Sequence, residues 1–443
     1  MIFSSESPIT FDDELTTETD VVVIGGGIIG VSTAWYLTRA GVRVTICEKG
    51  RIAGEQSSRN WGWVRQQGRD EAELPIMIES NQIWQTLSEE IGSDTGFRQY
   101  GVMYVAESER EMAEYRDWVE LAKHYDLKSI LLTAQEVQEQ VHGFEGAWKG
   151  GVVTPSDGRA EPFIVVPAMA QGCQKRGALI KENCAVRGIS TQAGQIAGVI
   201  TEHGEILCRA VVCAAGAWSS MFTGHVGLSF PQLTVKSTVA RTAKAPEGFL
   251  GNAACEDFAM RRRQDGGYTL APSGIHEHFV NRDSFRFFGV FLPNLVESWS
   301  ETTLRLGGDA PGGWNATRKW SDDEPSPFET NRVLNPIPAE STLGALRERL
   351  SRRLPALGNI DFVETWAGMI DTTPDVVPVM DQISSLPGFY LASGFSGHGF
   401  GIGPAAGRVM ADLVQGNSPG HDLTRFRFCR FSDGSKLDRG PSL

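Results

Sequence analysis

The sequence has few of the features that mark secreted, metal-binding or membrane-spanning proteins. Its cysteines number seven, which is odd, and it has no C-x-x-C pair or cysteine–histidine spacing typical of a metal site. No run of 18 apolar residues predicts a transmembrane helix, and the polar, acidic N-terminus lacks the apolar core of a signal peptide. We therefore expect a soluble cytoplasmic protein with reduced cysteines, without a metal site or an integral membrane segment.

Positive charge is also scarce. The chain has 41 Lys and Arg against 54 Asp and Glu, a net charge of -13, which argues against the basic surface of a nucleic-acid-binding protein. Its 443 residues, 41% of them apolar, exceed one ordinary domain. We therefore expect a globular protein of two or three domains that does not bind nucleic acid.

A glycine-rich segment near the N-terminus has the order of a dinucleotide-binding unit. The apolar run Val21–Ile24 predicts a buried parallel strand. The G-x-G-x-x-G of Gly25, Gly27 and Gly30 follows it and opens a predicted helix. The next strand ends at Glu48, where a carboxylate accepts from ribose hydroxyls and disfavours the 2′-phosphate of NADP. This order predicts a Rossmann-like site with a pyrophosphate at the helix N-terminus.

The loop that follows the second predicted strand is rich in hydrogen-bond donors. Ser57, Ser58, Arg59 and Asn60 form a set of donors suited to a diphosphate. Trp61 and Trp63 either flank a flat ring or belong to the core.

Two later segments also place glycines before a predicted helix. The A-G-A-W-S turn at 215–219 either brings backbone beside a second part of the ligand or is only a tight turn. In segment 393–407, six of fifteen residues are glycine. Such density indicates backbone that closely surrounds a ligand at a helix N-terminus.

Together these segments resemble the D-amino acid oxidase superfamily of flavoproteins over about residues 20–414. The resemblance rests on the G-x-G-x-x-G unit with Glu48 and on IAGEQSSRNWG (52–62), PSDGRAEP (155–162), VVCAAGAWS (211–219), WAGMIDTTPDVVPVM (366–380) and SGFSGHGFGIGPAAG (393–407). The last two are similar to the β subunit of heterotetrameric sarcosine oxidase and to related amino acid dehydrogenases. EKGRIAGEQSSR (48–59) and NCAVRGI (183–189) are similar to bacterial L-amino acid deaminases.

The resemblance implies an α/β fold, α+β overall, with a Rossmann-like FAD-binding domain and a substrate domain built on a mixed or antiparallel sheet. The implied FAD-binding domain is discontinuous and comprises 20–90, 150–230 and 360–420. The implied substrate-binding domain comprises 91–149 and 231–359, and 1–19 and 421–443 are tails.

The implied cofactor is FAD, with these residues around it: Gly25, Gly27, Ile28, Ile29, Gly30, Glu48, Lys49, Ser57, Ser58, Arg59, Asn60, Trp61, Gly62, Val186, Ala215, Gly216, Trp218, Gly368, Gly394, Gly397, His398, Gly399, Phe400 and Gly401. Family members that tether flavin use a histidine near the first glycine-rich loop or a cysteine near the T-P-D motif. Because this sequence has neither, we expect FAD to be held without a covalent bond.

The implied reaction is oxidation of the C–N bond of an amino acid or N-substituted amino acid, by hydride transfer to the flavin. The partners are then a small amino acid or amine substrate and an electron acceptor or partner subunit. Two alternatives are an FAD-binding subunit of a heteromeric amine dehydrogenase complex and, from the first motif alone, a nicotinamide-dependent dehydrogenase.

Two residues, His398 and Arg332, are candidates for roles in catalysis. His398 is expected beside the flavin, in a role of orientation or polarisation. Where the deaminases hold the substrate carboxylate with an arginine after Ala-Pro, this chain has Ser273, so the substrate differs or its carboxylate is held from elsewhere. Arg332 is our first candidate for that carboxylate, and Arg282 and Arg263 are the alternatives.

Overall fold

The computed structural model describes residues 2–297, 302–308, 310–314, 316–357 and 360–438. Its strands are β1 Val21–Ile24, β2 Val44–Cys47, β3 Trp63–Val64, β4 Val102–Ala106, β5 Ile130–Thr133, β6 Gly150–Thr154, β7 Gly158–Arg159, β8 Leu179–Lys181, β9 Val186–Gln192, β10 Gln195–Thr201, β11 Gly204–Leu207, β12 Ala210–Cys213, β13 Leu233–Thr242, β14 Asn252–Ala254, β15 Phe258–Arg262, β16 Tyr268–Pro272, β17 His276–Val280, β18 Thr302–Leu306, β19 Phe362–Thr372, β20 Val379–Gln382 and β21 Phe389–Ser393. Its helices are α1 Ile28–Arg39, α2 Gln56–Arg59, α3 Leu74–Ile91, α4 Glu109–His124, α5 Ala134–Gln140, α6 Pro162–Lys175, α7 Ser219–His225, α8 Arg282–Arg286, α9 Phe288–Glu297, α10 Pro327–Thr330, α11 Glu340–Arg353 and α12 Gly399–Gln415.

A six-stranded sheet carries the first glycine-rich turn. Its order is β20-β21-β12-β1-β2-β8, and all neighbours are parallel except the edge strand β20. In this register Val21 lies between Val44 and Ala210. Every residue of β1, β2 and β12 is buried, which is why these strands are continuous apolar runs rather than alternating ones. Helix α1 packs against α12 and α6, so both glycine-rich helices belong to this layer.

A ten-stranded mixed sheet forms the second large element. Its path is β18-β17-β13-β16-β15-β14-β4-β6-β5, and β19 pairs with β13. The long antiparallel pairing of β13 with β19 runs from Leu233 opposite Thr372 to Thr242 opposite Phe362. The predicted division assigns β6 and β19 to the FAD-binding part. Both strands belong to this sheet instead, because β6 pairs with β4 and β5 and β19 pairs with β13. The α/β fold class is confirmed, whereas the division into domains stays a prediction.

Both segments predicted as tails pack against the body of the chain where the structure describes them. Phe11 and Phe426 are buried in the core around α1. Arg430 donates to Asp375 at 2.8 Å from a buried position. The sequence does not reveal these contacts, because single apolar and paired charged residues in a polar stretch have no periodicity to detect. The assignment of 1–19 and 421–443 as tails stays a prediction.

None of the helices in the described ranges is both long enough and apolar enough to cross a membrane.

Candidate active site

A cavity of about 440 Å³ is lined by residues of both large sheets. This volume lies in the range of small-molecule and cofactor sites. One group of lining residues comes from the turn before α1, the end of β2 and the loop around α2. A second group comes from β13, β17, β19 and the loops at 65–69 and 395–400. The cavity is therefore bounded by every glycine-rich segment singled out in the sequence.

The first glycine-rich turn brings three backbone segments close together. Gly25 has a φ of 106°, and a Cβ there would lie 2.5 Å from the carbonyl oxygen of Ala214. A Cβ on Gly30 would lie 2.1 Å from the carbonyl oxygen of Gly25. Side chains at either position would push α1 away from the sheet. Glycine here keeps the N-terminus of α1 at the cavity wall, where Ile28 N–H donates to Ser57 Oγ at 2.9 Å.

Glu48 ends β2 with both carboxylate oxygens bound by backbone. Oε2 accepts from Gly26 N–H at 2.6 Å and Oε1 from Gly50 N–H at 2.7 Å. Burial raises the pKa of Glu48 to about 7, although the neighbouring Lys49 and these two N–H groups act in the opposite direction. The carboxyl group is thus held at the cavity wall and titrates near neutral pH.

The loop around α2 has a different arrangement from the one predicted. The Arg59 guanidinium donates to the carbonyl oxygens of Ala367 at 2.9 Å and Phe3 at 3.0 Å, and to Asn335 Oδ1 at 2.8 Å. These acceptors all belong to the protein, while Arg59 also lines the cavity, and the prediction that Arg59 reaches a diphosphate stays a prediction. Ser58 is fully buried away from the cavity. The Ser57 hydroxyl stays at the α1 N-terminus.

The loop at 65–69 presents two arginines to the cavity. Asp157 holds this loop, because its Oδ1 accepts from Gln66 N–H at 2.7 Å and its Oδ2 from Gln67 N–H at 3.1 Å. Arg69 is 5% exposed, and its Nη1 has no hydrogen-bond partner among the described residues. Burial and the charge of Arg65 lower the pKa of Arg69 to about 9. Arg69 therefore stays protonated at neutral pH and offers an unused donor.

His398 lies beside these arginines. Its Nδ1 is 3.0 Å from Oε2 of Glu73, and both side chains are buried. Burial acts to raise the pKa of Glu73, but the electrostatic interaction and hydrogen bond with His398, together with the charges of Arg69 and Arg65, outweigh it and hold that pKa below its ordinary value. Burial also lowers the pKa of His398 to about 4. Neutral His398 thus donates from Nδ1 and carries its lone pair on Nε2, which has no partner among the described residues.

The family model of FAD-dependent oxidoreductases named DAO matches residues 20–413. The chain belongs to this family. Its structure is similar to that of L-amino acid deaminase from Proteus myxofaciens in complex with anthranilate, at a TM-score of 0.93 and 30% identity, covering 98% of this chain and 100% of that one.

Two curated relatives differ in how much of their length this chain spans. Mitochondrial sarcosine dehydrogenase of Mus musculus is 25% identical over 94% of this chain, but the match covers only 42% of that protein. The sarcosine oxidase subunit beta of Rhodobacter capsulatus is 23% identical, over 95% of this chain and 90% of its own length.

The cavity fits the FAD of this family. One continuous space is lined by the turn at Gly25, where a Cβ would meet backbone, by the α1 N-terminus and by the Glu48 carboxylate. The resemblance and the cofactor predicted from it are confirmed, and the nicotinamide alternative is wrong. Of the residues expected around FAD, the following line the cavity: Gly25, Gly27, Ile28, Ile29, Glu48, Lys49, Ser57, Arg59, Asn60, Trp61, Val186, Ala215, Gly216, Trp218, Gly368, Gly397, His398, Gly399 and Phe400.

The remaining residues expected around FAD do not line it. They are Gly30, Ser58, Gly62, Gly394 and Gly401. Gly30 packs on Gly25, a Cβ on Gly62 would meet Ala160, and the carbonyl oxygen of Gly401 accepts from Trp84 Nε1 at 2.8 Å. These glycines allow close packing behind the cavity wall.

The structure contradicts Arg332 as the residue that faces the substrate. Arg332 pairs with Glu202 through both Nη atoms, the Nη2–Oε2 distance being 2.7 Å, and does not line the cavity. Its alternatives are excluded too. Arg263 pairs with Asp265 at 2.6 Å and Arg282 is exposed on α8.

Sequence reasoning missed most of the second group of lining residues. Arg65, Arg69, Ser237 and His276 all line the cavity. Two arginines four residues apart, directly after the tryptophan-containing loop, were a signal that could have been used. Ser237 and His276 lie in ordinary strand patterns, and only the pairing of distant strands brings them to the cavity.

Proposed function

We propose that the protein oxidises the C–N bond of an amino acid or N-substituted amino acid with FAD as the bound cofactor. The observation that carries the proposal is Arg69, a buried cation at the cavity wall with an unused Nη1 donor. A carboxylate is the group that such a guanidinium recognises best. The family and the names of the relatives, which act on L-amino acids and sarcosine, agree with this substrate class.

The first group of lining residues holds the cofactor in this proposal. Glu48 binds the ribose hydroxyls, and the α1 N-terminus with Ser57 binds the pyrophosphate. The bound flavin supplies the acceptor for the hydride equivalent that leaves the substrate carbon. Arg69 and Arg65 hold the substrate carboxylate, which fixes the position of the adjacent C–N bond.

His398 orients the substrate amine rather than taking a proton from it. Its pKa of about 4 lies far below that of an aliphatic ammonium group, which is about 8 at a peptide N-terminus and about 10 in a lysine side chain. Proton transfer from a substrate ammonium to Nε2 is therefore uphill. A hydrogen bond from the amine to the Nε2 lone pair needs no proton transfer, and Glu73 supports it by fixing the tautomer.

A second candidate is the same chemistry in a subunit of a heteromeric complex. The relative in Rhodobacter capsulatus is named as a subunit. In this chain α8, α9 and β18 expose large apolar side chains, among them Phe285 at 65%, Phe288 at 51% and Leu306 at 87%. Apolar surface of this kind suits a partner. Co-purification of a second polypeptide from the source cells at a constant ratio would favour this candidate.

Three further features belong to the proposal. FAD is held without a covalent bond, so acid precipitation leaves the yellow colour in the supernatant. The chain divides into the FAD-binding and substrate-binding domains predicted from the sequence, except that β6 and β19 pair with strands of the ten-stranded sheet. A cytoplasmic location agrees with seven free cysteines, six of them buried.

An anaerobic reduction screen tests the function. Purified holoenzyme is mixed with D- and L-amino acids, N-methyl amino acids and prolines, and the long-wavelength flavin absorption is followed. We expect at least one of them to bleach the flavin and to yield the corresponding 2-oxo acid, cyclic imine or primary amine. If dithionite bleaches the flavin but none of these compounds does, the proposed function is wrong.

A further inference from the structure

A second polar pair faces the cavity from the large sheet, and the reaction proposed above does not use it. His276 is 8% exposed and Ser237 is 4% exposed, and both line the cavity. Neither Nδ1 nor Nε2 of His276 has a hydrogen-bond partner among the described residues, and neither does the Ser237 hydroxyl. Buried polar atoms in a native protein are nearly always paired. Three such unpaired atoms in one wall therefore indicate a ligand that pairs with them.

Strand pairing places these two side chains next to each other. Lys236 of β13 lies opposite Glu277 of β17 in antiparallel register, so the neighbouring pair on the other face of the sheet is Ser237 and His276. The salt bridge between Lys236 Nζ and Glu277 Oε2, at 2.6 Å, holds this register from the opposite face. On the other side of β13, Ser237 lies opposite Gly368, which also lines the cavity.

The chemistry of the pair selects an uncharged partner. Burial lowers the pKa of His276 to about 4, so its ring is neutral at physiological pH and offers one N–H donor and one acceptor. The Ser237 hydroxyl likewise donates and accepts. A carboxylate only accepts and brings a charge that neither group neutralises. A carboxamide or a hydroxyl both donates and accepts, which matches both residues.

We propose that His276 and Ser237 form a subsite for an uncharged hydrogen-bonding group of the substrate, a carboxamide or a hydroxyl, carried in addition to the carboxylate held by Arg69. The inference rests on the proposed function. Of the residues expected around FAD, Gly368 lies in the large sheet, opposite Ser237, whereas those on α1, β2 and α12 belong to the layer of the six-stranded sheet. We assign the pair to the substrate, and loss of FAD from its variants is the outcome that would assign it to the cofactor. An apolar side chain bound there would leave the pair unpaired, and such sites reject the apolar analogue strongly.

The test compares substrates that differ only in this group. Holoenzyme is assayed with asparagine against leucine and with serine against 2-aminobutyrate, in both enantiomers. We expect kcat/KM to be at least tenfold higher for the polar member of one pair, mainly through KM. Ser237→Ala and His276→Phe should each shrink that ratio at least tenfold, because they remove hydrogen bonds to the polar member and also remove polar atoms that the apolar member leaves unpaired. His225→Phe, a change outside the cavity, is the matched control and should leave the ratio unaltered.

A binding measurement gives a readout besides turnover. The 2-oxo acids of the same pairs are titrated into oxidised holoenzyme by calorimetry, and the same preference should appear in Kd and disappear in both variants. Equal values for polar and apolar members in the unmodified enzyme would overturn the inference, as would an unaltered preference in both variants. Loss of FAD from His276→Phe or Ser237→Ala would assign the pair to the cofactor and overturn it too. If no amine substrate bleaches the flavin, both the proposed function and the subsite are wrong. If substrates bleach the flavin but the polar members are not preferred, only the subsite is wrong.

Discussion

The carboxylate of Glu73 lies 3.0 Å from Nδ1 of His398, and the two side chains are 0% and 4% exposed. One residue precedes α3 and the other precedes α12, so the hydrogen bond ties together two distant parts of the chain at the cavity. It also fixes which ring nitrogen of His398 carries the hydrogen. A change at Glu73 should therefore alter both stability and the site.

Replacing Glu73 tests this hydrogen bond. Glu73→Leu should leave the Nδ1–H of His398 buried without an acceptor, which costs about 1–3 kcal/mol. Glu73→Gln keeps an acceptor oxygen and should cost less. We expect the thermal midpoint of the holoenzyme to fall in the order unmodified, Gln, Leu. Equal midpoints for the Leu and Gln variants would show that the hydrogen bond adds nothing to stability.

Substitution of Arg69 should weaken substrate binding, whereas substitution of Arg332 should not. Arg69→Leu should raise KM about 100-fold, since removing the cation from a buried pair costs about 2–5 kcal/mol. Arg69→Lys keeps the charge but loses the guanidinium fork, so about tenfold is expected. Arg332→Lys is the matched control, because its partner Glu202 lies outside the cavity, and its KM should stay within about twofold.

A ligand with a carboxylate and no amine tests the same contact without turnover. Its Kd should rise most in Arg69→Leu, less in Arg69→Lys and hardly at all in Arg332→Lys. If it changes in Arg332→Lys and not in either Arg69 variant, the carboxylate is held elsewhere.

The glycine-rich turns and the first sheet could be predicted from the sequence because their causes are local. Val21–Ile24 is apolar on both faces, and Gly25 and Gly30 stand at positions where a Cβ meets backbone. The acceptors of a guanidinium are not local. Arg59 and Arg332 are both arginines in polar loops, and nothing near them in sequence shows that Ala367 and Glu202, far along the chain, will take up their donors.

The substrate half of the cavity shows the same limit. His276 and Ser237 are 39 positions apart, and they come together only because β13 and β17 pair. Arg69 reaches the cavity because Asp157, from a different segment, holds its loop. Long-range strand pairing and hydrogen bonds to a buried carboxylate place these side chains at the cavity. Neither produces a local periodicity that can be detected in the sequence.

Glycine-to-alanine substitutions at Gly30 and Gly344 compare a tightly packed helical position with an open one. A Cβ on Gly30 would lie 2.1 Å from a backbone oxygen, whereas one on Gly344 in α11 meets nothing within 4 Å. Gly30→Ala should therefore destabilise the protein by about 2 kcal/mol or more and reduce its FAD content. Gly344→Ala should stabilise it by about 0.5–1 kcal/mol. Thermal midpoints and the flavin-to-protein absorbance ratio check both. Full FAD loading of a stable Gly30→Ala variant would contradict the packing role.

Glu48 gives the apoprotein a pH dependence of known sign. Its pKa in the folded chain is about 7, above the ordinary value of 4.5. A group whose pKa is raised on folding contributes stability that is fully present below about pH 4.5 and is lost as the pH rises through about 7. Glu48→Gln resembles the protonated form and does not titrate. The stability of the unmodified apoprotein relative to this variant should therefore decrease between pH 5.5 and 8.5, which thermal midpoints will show.

Cofactor binding should reverse that trend. If ribose hydroxyls donate to Glu48, they favour the ionised carboxylate, and FAD should bind the unmodified apoprotein more tightly at pH 8 than at pH 6 while the pKa of Glu48 falls. Glu48→Gln should bind FAD more weakly and with little pH dependence over this range. Quenching of flavin fluorescence by each apoprotein measures both affinities. A parallel pH dependence in the two proteins would mean that another group titrates, and the ribose contact of Glu48 would have to be abandoned.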